Sequence, residues 1–365
     1  MGMSYSGYGR GKLLLFGEHA AVMGHPALGL ALERGIEVAL EPDPKAHNWT
    51  LVGRGDAEAA MAREVMTRLG DAVDGIPRGG TIRVASTLPE GRGFGSSAAL
   101  CVALTEAVLK ASGSPEAVRH RAIVWAIAHH AEGYFHGSPS GIDTGLATLG
   151  GLVAFRPAPP ELPEWHRVPL RPLSLLVGSL PRKSNAKALI ADIRERSKDP
   201  ASVEAGRLSR LGALSAAAES LFEIGNAAKQ GGLRDRGGIH GGEGPNGEGR
   251  PHNDDGGPHG GGDRHRSGGP ASPEISYELG LLAKDAQIEL SALGLVDPSL
   301  ATLVETGEAT GSEGGKMSGA GGGGAFWLVY PDRAAALRGE SALRQKAADL
   351  ELGEALTLEV LDLRP

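Results

Sequence analysis

A glycine loop that runs directly into an apolar helix constrains the fold of this chain more than any other segment. The stretch reads Pro89-Glu90-Gly91-Arg92-Gly93-Phe94-Gly95-Ser96-Ser97-Ala98-Ala99, and apolar residues continue to Leu104. Glycine lets a backbone approach a ligand closely and adopt left-handed φ values. A helix start adds N–H groups without intrahelical partners and a partial positive charge. Together these features indicate a phosphate-binding loop, with serine hydroxyls that can cap the helix or reach a metal.

The loop matches neither of two familiar phosphate motifs. A Walker A loop requires a lysine after its last glycine, and no lysine follows the glycines here. A dinucleotide-binding fingerprint requires a β-α-β unit with an acidic residue about 20 residues further on, and that context is also missing. A serine-capped glycine loop that binds no ligand is the alternative interpretation.

Composition narrows the class of protein. The chain has 365 residues, enough for two domains with separate cores. Its net charge of −7 argues against nucleic-acid binding, which usually requires a basic patch. The single cysteine, Cys101, excludes an intramolecular disulfide and a cysteine-based zinc site. Because there is no apolar run of about 18 residues and no signal-peptide core at the start, we expect no membrane partner and a cytoplasmic location.

Strand and helix patterns are mixed along the chain without a regular β-α repeat, which predicts an α+β fold. Strands are predicted at 12–16, 29–40, 81–84, 151–155, 173–177, 325–329 and 356–361. Helices are predicted at 57–69, 96–110, 115–135, 186–196, 203–228, 275–293, 299–308 and 333–350. Residues 136–143 are interpreted as a turn-rich loop. We predict an N-terminal domain at 1–178 and a C-terminal domain at 179–365.

The segment from about residue 229 to 273 interrupts the second half of the chain. It is mostly Gly, with His, Asp, Arg and Pro and almost no apolar residues. Such a composition cannot bury enough surface to offset the entropy of ordering, so we predict a disordered insertion between two helices. Four irregularly spaced histidines are interpreted as solvated rather than metal-bound: His240, His252, His259 and His265.

Two groups of polar residues carry less information when each is taken alone. Lys12 begins a buried strand with Glu18 and His19 just beyond its end, and polar residues at strand margins are often only solvated. Glu132 near a helix end and Asp143 in a loop are typical of surface or turn residues. In a kinase, however, one acid holds Mg²⁺ and a second orients or deprotonates the attacking hydroxyl.

A second glycine cluster, at 316–324, leads directly into the predicted strand at 325–329. Its four consecutive glycines precede an apolar strand, so they indicate close backbone packing or approach of a ligand rather than a flexible linker.

Taken together, in their order and spacing, these motifs resemble those of the GHMP kinases, and among them the mevalonate kinase family. The matching segments are 12–27, 89–99, 136–143 and 316–324. Gly17-Glu18-His19 is followed by Ala20-Ala21-Val22, as in mevalonate kinases. Galactokinase-type sugar kinases usually continue with Thr-Asp-Tyr, and diphosphomevalonate decarboxylases lack the Gly-Glu-His pattern. The resemblance covers about residues 10–330 apart from the insertion.

The resemblance implies two domains with the active site in the cleft between them and ATP and Mg²⁺ as cofactors, and it suggests a homodimer. The implied small-molecule substrate is mevalonate, phosphorylated on its primary (5-) hydroxyl. Asp143 and Lys12 would be catalytic, and Ser97 and Glu132 would hold Mg²⁺. The ATP phosphates would be bound by Pro89, Gly91, Arg92, Gly93, Phe94, Gly95, Ser96, Ser97 and Ala98. The substrate would be bound by Lys12, Glu18, His19, Asp143, Gly319 and Ala320.

Some features leave the assignment open. Ser318 stands where the family usually has Thr, and Ala325 where it usually has Cys. The basic segment 181–187 is a further candidate for binding the mevalonate carboxylate. Two alternatives stay open: another GHMP kinase acting on a sugar or phosphomevalonate, and a non-catalytic ATP-binding regulator. A regulator would have no need to keep all four reactive residues, Lys12, Ser97, Glu132 and Asp143.

Overall fold

The computed structural model describes residues 3–53, 55–136, 139–183, 186–230 and 273–364. The insertion predicted at 229–273, with its four histidines, lies outside the described residues except at its two ends, where helices continue. Within the described residues the chain forms two β-sheets with helices packed against them, which confirms the predicted α+β class. No helix in those ranges is both long enough and apolar enough to cross a membrane.

The first sheet contains six strands in the order β3-β4-β2-β5-β6, with β1 paired to β2. Neighbouring strands are antiparallel except β3 and β4. The pairing of β1 with β2 is irregular between Arg10 and Lys12 and between Leu14 and Phe16. The strands are β1 (Tyr5–Phe16), β2 (Ala27–Pro42), β3 (Trp49–Leu51), β4 (Gly80–Ser86), β5 (Leu152–Ala158) and β6 (Glu161–Val168).

The second sheet is antiparallel, with the order β10-β7-β9-β8. Its strands are β7 (Leu173–Leu180), β8 (Gly314–Ser318), β9 (Gly324–Tyr330) and β10 (Thr357–Leu363). Every residue of β7 and β9 is buried, so both faces of these strands are covered. The boundary predicted at residue 178 falls inside β7, and a division of the chain by its sheets would come before Leu173.

Helices surround both sheets. They are α1 (Asp56–Ala72), α2 (Ser96–Ala111), α3 (Arg121–His136), α4 (Ile142–Leu149), α5 (Ala186–Arg196), α6 (Val203–Gln230), α7 (Pro273–Ala292), α8 (Pro298–Ala309) and α9 (Arg333–Asp349), with short 3₁₀ turns at Ala21–Met23 and Pro115–Arg119.

The buried helix α2 lies against β1 because two glycines of that strand leave room for it. A Cβ atom on Gly7 would lie 2.0 Å from the carbonyl oxygen of Ala103, and one on Gly9 would lie 2.0 Å from that of Ala99. Any side chain at these positions would therefore push the helix away. This contact fixes the start of α2, and with it the glycine loop, relative to the part of β1 that carries Lys12.

Two sequence predictions were wrong near the site. The single helix predicted at 115–135 is broken at His120, whose backbone is not helical. There Arg121 begins α3 and donates through its guanidinium to the carbonyl of Thr148 and to Glu106. The loop predicted at 136–143 ends earlier than expected, because α4 begins at Ile142 and places Asp143 in its first turn.

Candidate active site

A cavity of about 500 Å³ collects most of the predicted site residues. It is lined by β1 and the loop after it, the glycine loop, α3, α4, α5 and the second glycine cluster. The predicted residues that line it are Lys12, Glu18, His19, Gly91, Gly93, Gly95, Ser96, Ser97, Glu132, Asp143, Gly319 and Ala320. Four members of the predicted phosphate set are not among the lining residues: Pro89, Arg92, Phe94 and Ala98.

Lys12 and Asp143 form an ion pair inside this cavity. Lys12 Nζ lies 3.3 Å from Asp143 Oδ2, and the lysine side chain is almost fully buried whereas the aspartate is one-third exposed. Asp143 occupies the first turn of α4, where the helix dipole favours a negative charge. The pair therefore presents a fixed cation beside a carboxylate that a ligand can reach.

The glycine loop is held directly beside Lys12. The backbone N–H of Lys12 donates to the carbonyl of Phe94 at 2.9 Å. The lysine side chain crosses Gly95, where a Cβ atom would lie 2.7 Å from Lys12 Cγ. Gly91, Gly93 and Gly95 have φ values of 67°, 88° and 75°, and α2 begins immediately afterwards. The left-handed turns aim the helix start into the cavity that contains the ion pair, a geometry suited to phosphate.

Glu132 is a second carboxylate at the site, fully buried on α3. Burial first, and the charge of Asp143 second, raise the pKa of Glu132 to about 8, while Lys12 opposes the shift. Ser97 lines the same cavity. An anionic oxygen and a hydroxyl suit a hard divalent cation, which would also favour the ionised form of this carboxylate. The donor set therefore fits Mg²⁺.

The segment at 12–27 and the second glycine cluster at 316–324 are joined in the interior by Lys316 and Ser318, to which the sequence analysis assigned no role. Lys316 Nζ is fully buried, forms an ion pair with Glu18, and donates to the carbonyls of Leu15 at 2.9 Å and Met317 at 2.7 Å. Ser318 Oγ accepts a 2.9 Å hydrogen bond from the N–H of Leu14. Strand β8 is thus fastened to the end of β1, and the hydroxyl kept at position 318 has a structural use.

The pairing with Lys316 bears on the predicted role of Glu18. Burial raises the pKa of Glu18, and the charge of Lys316 opposes that shift. One carboxylate oxygen is already engaged by the lysine, although the residue lines the cavity. Substrate binding by Glu18 stays a prediction.

His19 is held in one orientation by the second glycine cluster. Its φ value of 55° is left-handed, and Nε2 lies 2.9 Å from the carbonyl oxygen of Ala320. Because that oxygen only accepts, Nε2 must carry the proton. Burial lowers the pKa of His19, which favours the neutral ring. The other ring nitrogen is then an acceptor at a site lined by polar groups.

Within the described part of the basic segment at 181–187, Arg182 is the residue that lines the cavity. A Cβ atom on Gly319 would lie 3.5 Å from Arg182 Nη2 and 3.7 Å from Lys12 Nζ. Lys183 points elsewhere and pairs with Asp297 at 3.0 Å. The side chain of Lys187 lies outside the described residues. Arg194 of α5 also lines the cavity and was not predicted.

The side chain of Arg92 is directed at the second sheet. Its guanidinium donates to the carbonyl of Ala355 and, at 3.5 Å, to that of Ser179. Any contact of Arg92 with phosphate would therefore come from its backbone, and the side chain instead fastens the glycine loop to β7 and to the turn before β10.

A second cavity, of about 310 Å³, lies next to the first and was not predicted from the sequence. Apolar side chains dominate its walls, among them Ile36, Met61 and Leu104, and Ser96 and Ser97 line both cavities. The start of α2 therefore separates a polar compartment from an apolar one.

Comparison with known proteins identifies the family. The sequence matches the model described as "GHMP kinases N terminal domain" over residues 58–151 and the model described as "GHMP kinases C terminal" over residues 276–349. The chain belongs to the GHMP kinases. The first match contains the glycine loop, Glu132 and Asp143, and the second contains the second glycine cluster.

Named relatives of this GHMP kinase include two archaeal mevalonate kinases. That of Thermococcus sibiricus is 24% identical over 348 residues, and that of Thermococcus gammatolerans is 25% identical over 347; each match covers 88% of both chains. The solved structure of L. major mevalonate kinase with R-mevalonate superimposes with a TM-score of 0.70 at 18% identity, covering 99% of this chain and 96% of that one. Lactococcus lactis galactokinase, solved with galactose, gives a TM-score of 0.68 at 16% identity, covering 99% and 93%. The fold is thus common to kinases with different acceptors.

Proposed function

We propose that this chain is a mevalonate kinase, which transfers the terminal phosphoryl group of ATP to the primary hydroxyl of mevalonate. The observation that carries the proposal is the Lys12–Asp143 ion pair, which faces the same cavity as the glycine loop and the start of α2. One side of the cavity suits phosphates and the other suits a hydroxyl that must lose a proton.

The two adjoining cavities would accommodate the two parts of ATP. The phosphates would bind at Gly91, Gly93 and the start of α2, where N–H groups and the helix dipole meet anionic oxygens. The apolar cavity on the other side of Ser96 and Ser97 is suited to the base, because most small-molecule sites are apolar with a few polar contacts. Ser97 and Glu132 would hold Mg²⁺, which when bound neutralises charge on the phosphates.

Lys12 and Asp143 would act on the acceptor. The ammonium group of Lys12 lowers the pKa of a neighbouring hydroxyl and stabilises the negative charge that develops on its oxygen. Asp143 accepts the proton or orients the hydroxyl for attack. Because Lys12 is buried between the loop and α4, it cannot turn away from this position, and the exposed fraction of Asp143 leaves its carboxylate open to the substrate.

Two arginines support an acceptor that carries a carboxylate, as mevalonate does. Arg182 and Arg194 line the cavity from the side of α5, and arginine binds carboxylates with paired hydrogen bonds. The neutral sugar of a galactokinase would leave these cations without an anionic partner. His19, Glu18, Gly319 and Ala320 are proposed as the remaining substrate contacts.

Turnover of an acceptor panel tests the proposal. ADP release is measured with Mg-ATP and mevalonate, phosphomevalonate, galactose or homoserine in turn. Mevalonate is expected to give the highest kcat/KM. Preference for another acceptor would move the chain to a different GHMP kinase, and ATP binding without turnover of any acceptor would favour the regulator. A homodimer is a further expectation from the resemblance, which sedimentation would test.

A further inference from the structure

Outside both cavities, His166 of β6 lies between two carboxylates of α6. Its Nε2 atom is 3.2 Å from Glu219 Oε1 and 3.2 Å from Glu223 Oε1. One such ligand atom from each of the three residues lies within 4.8 Å of the others. The two glutamates are four residues apart on the helix, so they occupy the same face. None of the three residues lines the cavities described above.

A hydrogen bond from His166 to Glu223 accounts for only one of these two distances, whereas a shared metal ion would account for both. A ring nitrogen carries at most one hydrogen, which cannot point at two oxygens at once, and 3.2 Å is the long limit for such a bond. An ion with ligand distances of about 2.0–2.2 Å and angles between about 90° and 110° separates adjacent ligand atoms by about 2.8–3.6 Å. Both measured separations fall in that interval.

The negative charge that remains on the cluster and the hydrogen bonds that orient Glu219 are consistent with a bound cation. Arg156 Nη2 donates to both carboxylate oxygens of Glu219, at 2.8 and 2.7 Å, and neutralises one of the two carboxylates. With a neutral His166 the four side chains carry a net charge of −1. Glu219 itself is buried, with only 7% of its side chain exposed. A buried ligand oriented by an outer hydrogen-bond partner is typical of metal sites in proteins.

We propose that His166, Glu219 and Glu223 bind a divalent transition-metal ion, for which Zn²⁺ is the probe. Imidazole nitrogen favours such ions, whereas Mg²⁺ and Ca²⁺ favour oxygen alone. The ion would connect β6, at the edge of the first sheet, to α6, a helix that also contacts β1 and β2. Because the three ligands converge only in the folded chain, binding stabilises that state.

Thermal unfolding of the full chain, freed of metal with EDTA and titrated with ZnCl₂, tests the proposal. The Tm of the wild type is expected to rise with Zn²⁺ concentration, and H166Q and E223Q are expected to lose this rise. R156Q keeps all three ligands and is expected to bind about 10- to 100-fold more weakly. H47Q removes an exposed histidine from another surface and should behave as the wild type.

Zinc bound elsewhere, including at the histidines between residues 229 and 273, would give H166Q the same response as the wild type, and that result overturns the proposal. Anomalous diffraction at the zinc edge provides a test that does not depend on any variant. A peak about 2.1 Å from His166 Nε2 is expected. The absence of a peak there, or a peak from an adventitious ion only, with no accompanying rise in Tm, also contradicts the proposal.

Discussion

Lys316 of β8 forms an ion pair with Glu18, which follows β1, and both side chains are completely buried between the two sheets. The same ammonium group donates to the carbonyl of Leu15. Removal of one partner would leave an uncompensated charge in the interior, whereas removal of both would leave none.

K316M is expected to lower the free energy of unfolding by about 3–5 kcal/mol, the usual cost of breaking a buried pair. The double variant E18Q/K316M removes both charges and should recover part of that loss. Urea unfolding measures both values. R333A, which breaks the exposed pair with Asp362, is the control and is expected to cost no more than about 1 kcal/mol. Equal losses of unfolding free energy in K316M and R333A would show that Lys316 does not stabilise the contact between β8 and the end of β1.

D143N and K12M test the reaction. Asparagine retains the shape of the side chain but neither accepts the proton nor carries the charge, so kcat is expected to fall about 10²- to 10⁴-fold. ATP affinity, measured by calorimetry, should stay near the wild-type value because the glycine loop is unchanged. D285N, on the exposed side of α7, is the control and should retain full activity. A near wild-type kcat in D143N would contradict the assigned role.

G95A and G113A form a matched pair at the two ends of α2. Both glycines have left-handed φ values, 75° and 84°, so alanine costs about 1–2 kcal/mol of stability at either position. Only at Gly95 would the new Cβ meet Lys12, 2.7 Å from its Cγ, whereas nothing lies within 4 Å at Gly113. Activity is therefore expected to fall in G95A and to persist in G113A. Similar activities in the two variants would show that Lys12 tolerates displacement.

Glu132 gives a prediction about stability and pH in the absence of Mg²⁺. Its pKa is raised from 4.5 to about 8 on folding, first by burial and then by Asp143. The unfolded chain therefore releases this proton at lower pH than the folded chain, and the group destabilises the fold increasingly from pH 4.5 to 8. Above pH 8 the penalty is constant.

E132Q removes this penalty, so its stability relative to the wild type should grow by up to about 1.4 kcal/mol per pH unit over that interval. Urea unfolding in EDTA at several pH values provides the measurement, and E278Q, exposed on α7, is the control. A difference between E132Q and the wild type that does not change with pH would contradict the shift.

The sequence predicted best those elements whose structure is determined by residues adjacent in the chain. Helix α2 was predicted at 96–110 and runs Ser96–Ala111, because its glycine start and apolar run are adjacent in the chain. Helix α4 was missed because Pro139, Ser140 and Gly141 indicate a turn, and the three residues do precede the helix directly. Strand β6 was missed because six of its eight residues are not buried, so the apolar pattern of a strand is weak.

The site was predicted through the resemblance rather than through spacing. Nothing local to Lys12 or Asp143 indicates that they meet, because the two residues are 131 positions apart and β2, β3 and β4 lie between them in the chain. The partner of Glu18, Lys316, lies 298 residues away. In the sequence the glycines that follow Lys316 indicated close packing, but nothing indicated that this lysine pairs with Glu18. The apolar cavity has walls from β2, β3, β4, α1, α2 and α3, a combination that only the folded chain defines.

Strand β1 carries Gly9 against α2, Lys12 against Asp143, and Leu14 and Leu15 against β8, all within 12 residues. Successive side chains of a strand point to opposite faces, so a single inserted or deleted residue would reverse the direction of Lys12. The same change would misalign the contact of β1 with α2 and its contact with β8. We therefore expect an insertion or deletion of one residue in β1 to inactivate the protein. The length of β1 is for this reason constrained by three contacts at once.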